Sequence, residues 1–173
     1  MAEYLEDFDN ELGQVFAEFS SFLYVTKHDC KNNKMLHNIM LDSKRVYIRT
    51  LCDFFSNTKP NSDDLIYKDF LKENLDLSVK IDKNLRIFIN KSTAHLSKKR
   101  GKFLLQDDDI LPISKELIKA IKRFVREAKN GNLLDEYKKQ LLDQDVQYLL
   151  RTIEWQLVEV ISAFAQAGEV IQL

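Results

Sequence analysis

Residues 3–26, EYLEDFDNELGQVFAEFSSFLYVT, decide what kind of fold this chain adopts. Their apolar side chains recur at steps of three and four residues, which is the period of one face of an α-helix. The stripe is rich in phenylalanine, as expected of a core or a dimer seam. Its members are Leu5, Phe8, Leu12, Val15, Phe16, Phe19, Phe22 and Leu23. The sequence therefore predicts a long amphipathic helix over residues 3–26.

The same period predicts four more long helices, near residues 34–56, 82–97, 112–130 and 144–167, with shorter ones at 65–71 and 133–142. The chain has 173 residues, of which 4 are Gly and 2 are Pro, too few for a loop-rich or β-rich architecture. Its 45% hydrophobic content suffices for one core that buries roughly 70% of the unfolded surface. We therefore expect an all-α, single-domain bundle of about five long helices over residues 1–173.

Turn-forming and acidic residues indicate how two of these helices begin. Ser62 or Asp63 is placed to cap the short helix at 65–71. Residues 101–111 break the helical period, and Pro112 after three aspartates suits the first turn of the next helix. Adjacent carboxylates at Asp63 and Asp64 point apart on a helix, so capping explains them better than a metal site does. No metal or other cofactor is expected.

Charge and cysteine usage indicate the cellular compartment. The first residues are acidic, where a secretory signal needs cations, and no apolar run approaches the roughly 20 residues that span a bilayer. Cys30 and Cys52 lack zinc-site spacing and are expected to be reduced thiols. These features predict a soluble cytoplasmic protein that does not bind membranes.

Residues 85–100, LRIFINKSTAHLSKKR, hold the most closely spaced reactive side chains. His95 is at the edge of an apolar helical stripe, one turn after Lys91 and shortly before Arg100. Neighbouring cations favour the neutral imidazole, which accepts protons near pH 7. A plainer alternative is a histidine held by the last carbonyls of a helix and favoured by its dipole.

Two motifs in this region resemble bacterial helical proteins of the HEPN type. They are NK-x-x-AHL-x-x-x-R at residues 90–100 and R-x-L-x-D-F-F at residues 49–55. The resemblance implies a helical bundle, often dimeric, that acts as a metal-independent ribonuclease in bacterial defence or toxin–antitoxin systems. It implies His95 as the catalytic histidine and Asn90 as the polar residue of the motif. The arginine position falls on Ile89, so Arg49 or Arg100 must take its place through tertiary packing.

Arg45, Arg49 and Asp53 are spaced four residues apart and share one helical stripe. One interpretation is an intrahelical pair between arginine and aspartate, which stabilises a helix by about 0.3–0.5 kcal/mol. The other aims Arg49 at a phosphate, with Asp53 holding its guanidinium group in place.

The helix at 112–130 carries a row of cations opposite its apolar face. A solvated surface is one interpretation, and contact with an RNA backbone is the other. The candidate RNA-binding residues are Arg100, Lys115, Lys119, Lys122, Arg126 and Lys129, with Arg123 broadening the row.

Two functional hypotheses follow. The first is a HEPN-like ribonuclease in which His95 acts as general base, while Asn90, Lys91 and Arg49 stabilise the phosphorane without a metal. The second is a non-catalytic helical module that binds a partner protein of the antitoxin kind or another copy of itself. A homodimer is expected in either case, because the Phe-rich first helix and the last helix offer more apolar surface than one core needs. The last helix is apolar on two sides, with Trp155 and Val158 on the second side.

Overall fold

The computed structural model describes residues 10–28, 34–72, 75–82, 84–87, 107–169 and 171. This part of the chain is mostly helical and contains no β-strand, which confirms the all-α prediction. Residues 84–87 also form a helical turn. The helices are α1 (Glu11–Lys27), α2 (Lys34–Phe54), α3 (Tyr67–Phe70), α4 (Asp107–Lys129), α5 (Asp135–Gln140) and α6 (Gln144–Gln166).

Helix α1 is the element around which the others assemble. It lies along α6 over an extensive contact and also packs against α2, α4 and α5. The part of its Phe-rich stripe from Leu12 to Leu23 is buried, as the sequence predicted, and joins the buried residues of the other helices in one continuous hydrophobic core. Leu5 and Phe8 lie outside the described residues. None of the described helices is long and apolar enough to cross a membrane.

Phe124 of α4 occupies the centre of this core. Its ring is fully buried and lies 5.5–6.5 Å, between centroids, from five other rings. Most of these pairs meet edge to face, the arrangement that aromatic quadrupoles favour. The five neighbours are Phe16 and Phe19 of α1, Phe54 of α2, and Phe55 and Phe70 beyond it.

Side chains from two parts of the chain satisfy the first backbone N–H groups of α1. Asn10 is the N-cap, and its Oδ1 accepts from the Gly13 amide at 2.6 Å. The Leu12 amide donates to Gln140 Oε1 of α5 at 3.0 Å. The Tyr137 hydroxyl, also on α5, donates to Glu11 Oε2 at 2.8 Å. These contacts fix the start of α1 against a segment far along the chain.

A short backbone ladder joins the end of α3 to the turn after α4. Leu71 and Leu133 form an antiparallel bridge, and the Lys72 and Leu134 amides donate to carbonyls on the opposite side at 2.9 Å. Gly131 makes this turn with φ of 79°, a left-handed conformation that glycine adopts without strain. This ladder holds residues 70–72, at the end of α3, against residues 132–134, which follow α4.

The long helices α2 and α6 match their predicted bounds within two residues, but the starts of α1, α3 and α4 were wrong. The helix predicted from residue 3 begins at Glu11, because Asn10 is extended and caps it; residues 3–9 lie outside the described part. Neither Ser62 nor Asp63 caps α3. That helix begins at Tyr67, and the Asp69 carboxylate accepts from the Ile66 amide at 2.9 Å instead. Of the helix predicted at 82–97, residues 84–87 are helical and 88–97 lie outside the described residues.

Pro112 is inside α4 and not in its first turn, which corrects the predicted break at 107–111. A proline here removes the hydrogen bond to the carbonyl four residues earlier, and its ring crowds that carbonyl. The turns on both sides are nevertheless anchored in the core, since Ile110 and Ile113 are both buried. Burial of these apolar side chains offsets the lost hydrogen bond.

Replacing Phe124 with alanine should lower the free energy of unfolding by about 3–5 kcal/mol, because the change leaves a cavity where five rings meet. Urea denaturation followed by far-UV circular dichroism measures this loss. The control is Leu142→Ala at a fully solvated position, which should change stability by less than about 0.5 kcal/mol. Equal losses in the two variants would mean that Phe124 does not organise the core.

Candidate functional site

The structure tests only part of the predicted catalytic group. Asn90, Lys91, His95 and Arg100 lie outside the described residues. Arg49 is described, and it is an exposed residue of α2 that lines a cleft. The proposed roles of the other residues stay predictions.

This cleft has a volume of about 880 Å³. One wall is the polar edge of α1 and the other is the stretch of α2 from Val46 to Phe54, with the loop at residues 60–65 and Arg86 closing one end. Core side chains such as Phe19 and Phe54 reach its floor. A volume of this size falls within the range of small-molecule sites, about 300–1,000 Å³.

Asp53 does not hold Arg49, which corrects one prediction made from the four-residue spacing. Asp53 Oδ1 accepts from the Arg86 guanidinium at 2.6 Å, so this aspartate joins α2 to residues 84–87. Arg45 is also paired elsewhere, with Asp42 at 2.7 Å on the preceding turn. Arg49 has no ion-pair partner among the described residues.

Glu18 of α1 lines the same cleft, and the sequence interpretation did not single it out. Its Oε2 atom is buried and has no hydrogen-bond partner. Burial disfavours the charged form and raises the pKa of this carboxyl group above its usual value. A signal was present in the sequence, because Glu18 lies three residues after Val15 and four before Phe22, at the edge of the apolar stripe.

The cationic row on α4 is largely paired with acidic side chains. Two of these acids come from α4 itself, one from α6 and one from the segment after α6. The exposed pairs among them each contribute about 0–1 kcal/mol, whereas Glu127 is buried and also accepts from Asn132. Lys122 and Arg123 are exposed and have no acidic partner within the described part. The pairs are Lys115 with Glu169, Lys119 with Glu116, Arg126 with Glu127, and Lys129 with Glu154.

The outer face of α6 carries three large exposed apolar or aromatic side chains next to the exposed Arg151. Tyr148 is 65% exposed, Trp155 60% and Val158 65%, and their spacing places them on one side of the helix. The opposite side of α6 is buried against α1. The prediction of a helix with two apolar sides is therefore confirmed.

Lys27 connects this face to the end of α1. Its Nζ atom lies 5.1 Å from the centroid of the Trp155 ring and 2.5 Å from Glu159 Oε2. The cation fixes one side of the indole while the rest of the ring stays exposed. The aromatic residue is thus held in a defined orientation at the surface.

No group of three or more metal-ligating side chains occurs within the described residues. Comparison of the chain with protein-family models, curated proteins and solved structures found no match. The likeness to HEPN proteins therefore rests on the two sequence motifs alone.

Substituting Glu18 with glutamine should raise the melting temperature at about pH 7, because the buried carboxylate then no longer has to ionise. The pKa of Glu18 is higher in the folded protein than in the unfolded chain. The protonated carboxyl group therefore contributes to the free energy of unfolding below about pH 4, and this contribution is lost as the pH rises through the folded pKa. The gain should therefore disappear below about pH 4. The other charged residues of the cleft are Glu11, Arg49, Asp53, Asp64 and Arg86.

Differential scanning fluorimetry at both pH values measures this effect. Glu136→Gln, at an exposed position of α5, is the matched control and should leave the melting temperature nearly unchanged at either pH. A gain from Glu18→Gln that is equal at both pH values would show that the carboxylate is not the source of the effect.

Proposed function

We propose that this protein is a non-catalytic, self-associating helical module whose docking surface is the outer face of α6. The observation that carries the proposal is the exposure of Tyr148, Trp155 and Val158 together on one side of a long core helix. Large aromatic side chains are enriched at the centres of protein interfaces, where their burial contributes most of the binding energy.

Charge placement on the same face favours a second copy of this chain as the occupant. Arg151 and Glu159 lie one turn on either side of Trp155. In an antiparallel two-fold contact centred on Trp155, Arg151 of each copy reaches the level of Glu159 of the other. Arg151 is exposed and has no acidic partner within the described residues. The face is therefore self-complementary in charge and apolar at its centre.

The pairing of Lys27 with Glu159 supports the same arrangement. This contact holds the Glu159 carboxylate beside Trp155 at a helix surface. An acidic group fixed in place loses less conformational freedom when a second cation approaches it. Two rim charges and one central aromatic residue per copy make an isologous interface of the kind seen in two-fold dimers.

Light scattering at tens of micromolar concentration should give about twice the monomer mass of 20.3 kDa. Trp155→Glu should give the monomer mass, because it places a charge at the apolar centre. Ile39→Glu, an equally drastic change on the exposed side of α2, should leave the dimer intact. Dissociation by Ile39→Glu with no effect of Trp155→Glu would assign the interface to α2.

Charge reversal tests the two-fold geometry itself. Arg151→Glu should weaken the dimer by about tenfold or more, because two like charges then meet at each end of the contact. Adding Glu159→Arg to the same chain restores opposite charges and should recover most of the affinity. A double variant weaker than Arg151→Glu would contradict the antiparallel register.

HEPN-like activity on RNA is the second candidate. The specific observation in its favour is that Lys122 and Arg123 on α4 are exposed and have no acidic partner among the described residues. In this proposal the row of cations binds phosphates, and a HEPN-like bundle positions His95 for metal-independent cleavage. Ribonuclease activity that survives EDTA and disappears in His95→Ala would support it.

RNA binding by α4 should weaken steeply as salt concentration rises, and each cation replaced by glutamine should lower the salt slope by about 0.7–0.9. The test variant combines Lys119→Gln with Lys122→Gln, and fluorescence anisotropy across a salt titration gives the slope. Lys80→Gln, an exposed lysine outside α4, is the control. If the double variant binds RNA with the wild-type salt slope, the row of cations on α4 is only a solvated surface.

A further inference from the structure

Some charged side chains of the cleft between α1 and α2 have hydrogen-bond or ion-pair partners, and others have none among the described residues. Three of the four acidic residues of the cleft accept hydrogen bonds from neighbouring side chains or amides. Glu11 accepts from the Tyr137 hydroxyl, Asp53 accepts from Arg86, and Asp64 accepts from both nitrogens of Asn61 at 2.8 Å. These three carboxylates belong to the structure of the walls.

Glu18 is the acidic residue of the cleft that has a buried oxygen without a donor. A buried polar atom without a hydrogen-bond partner costs about 1–3 kcal/mol, and more when it carries charge. This cost disappears when a donor enters the cleft and reaches Oε2. The chemistry at this end of the site therefore calls for an N–H group, and a cationic one is the strongest complement to a carboxylate.

Arg49 is the corresponding cation, and it has no ion-pair partner among the residues that the structure describes. The other arginine of the cleft, Arg86, is bound to Asp53, and no ion pair within 4.0 Å joins Arg49 to Glu18 although both line the same space. A guanidinium group presents paired N–H donors that match a carboxylate or phosphate. Within the described part of the chain, the cleft thus offers one carboxyl group on α1 with an oxygen that has no donor and one cation on α2 that has no ion-pair partner.

We propose that the cleft binds a small zwitterionic organic molecule, with its ammonium group on Glu18 and its anionic group on Arg49. The apolar floor, which includes Val15, Phe19 and Leu51, receives the aliphatic part between the two charges. The ammonium group gives the buried Glu18 Oε2 a donor, and the anionic group replaces water at the exposed Arg49. The site lies between α1 and α2, whereas the dimer surface proposed above lies on α6, and neither proposal depends on the other.

Three matched probes test this assignment by isothermal titration calorimetry. They are 6-aminohexanoate, which carries both charges, hexanoate, which carries only the anion, and hexylammonium, which carries only the cation. The zwitterion should bind at least about tenfold more tightly than either of the others. Three equal affinities, or no saturable binding with Kd below about 10 mM, would overturn the proposal.

Two variants locate the charges. Glu18→Gln should reduce the affinity for 6-aminohexanoate to that for hexanoate, and Arg49→Gln should reduce it to that for hexylammonium. Glu136→Gln should bind all three probes as wild type does, and circular dichroism checks that each variant is folded. A zwitterion that binds equally well to wild type and to both cleft variants would place its site elsewhere and refute the assignment.

Discussion

The packing of aromatic rings around Phe124 is the constraint on which the rest of the structure depends. One ring on α4 contacts rings from α1, from the end of α2 and from α3, so these elements share a single set of van der Waals contacts. Close packing of this kind transmits a change in one side chain to all its neighbours. The walls of the cleft belong to this assembly, since Phe19 and Phe54 belong both to the cluster and to the floor of the cleft.

The sequence predicted the parts of the fold that follow from one-dimensional periodicity. Helices α2 and α6 end within two residues of their predicted bounds, because a stripe of apolar residues continues to each end. Prediction from periodicity failed where a single side chain or a tertiary contact determines the residue at which a helix begins. Asn10 interrupts the apolar period of residues 3–26 by capping α1, and burial of Ile110 and Ile113 extends α4 past a proline that on its own favours the first turn.

The candidate site was less accessible to sequence reasoning because its charges are matched across distant segments. Spacing alone offered Arg49 as the partner of Asp53, but Arg86, located 33 residues further on, takes that role. Tertiary structure therefore leaves Arg49 without an ion-pair partner among the described residues. Glu18 was missed because a glutamate at the edge of an apolar stripe reads as solvated until the neighbouring helix covers one of its oxygens.

The start of α1 carries a consequence for how the chain folds during synthesis. Its amides and its first carboxylate bind Gln140 and Tyr137, residues 128 and 126 positions away, and its longest contact is with α6. Phe19 packs against Phe54 of α2 and Phe124 of α4, which are made earlier, but the side of α1 that contacts α6 stays exposed until that helix has been synthesised. Long sequence separation between contacting residues slows folding and prolongs exposure of apolar surface. Such a nascent chain is a natural client for a ribosome-associated chaperone until its C-terminal third is complete.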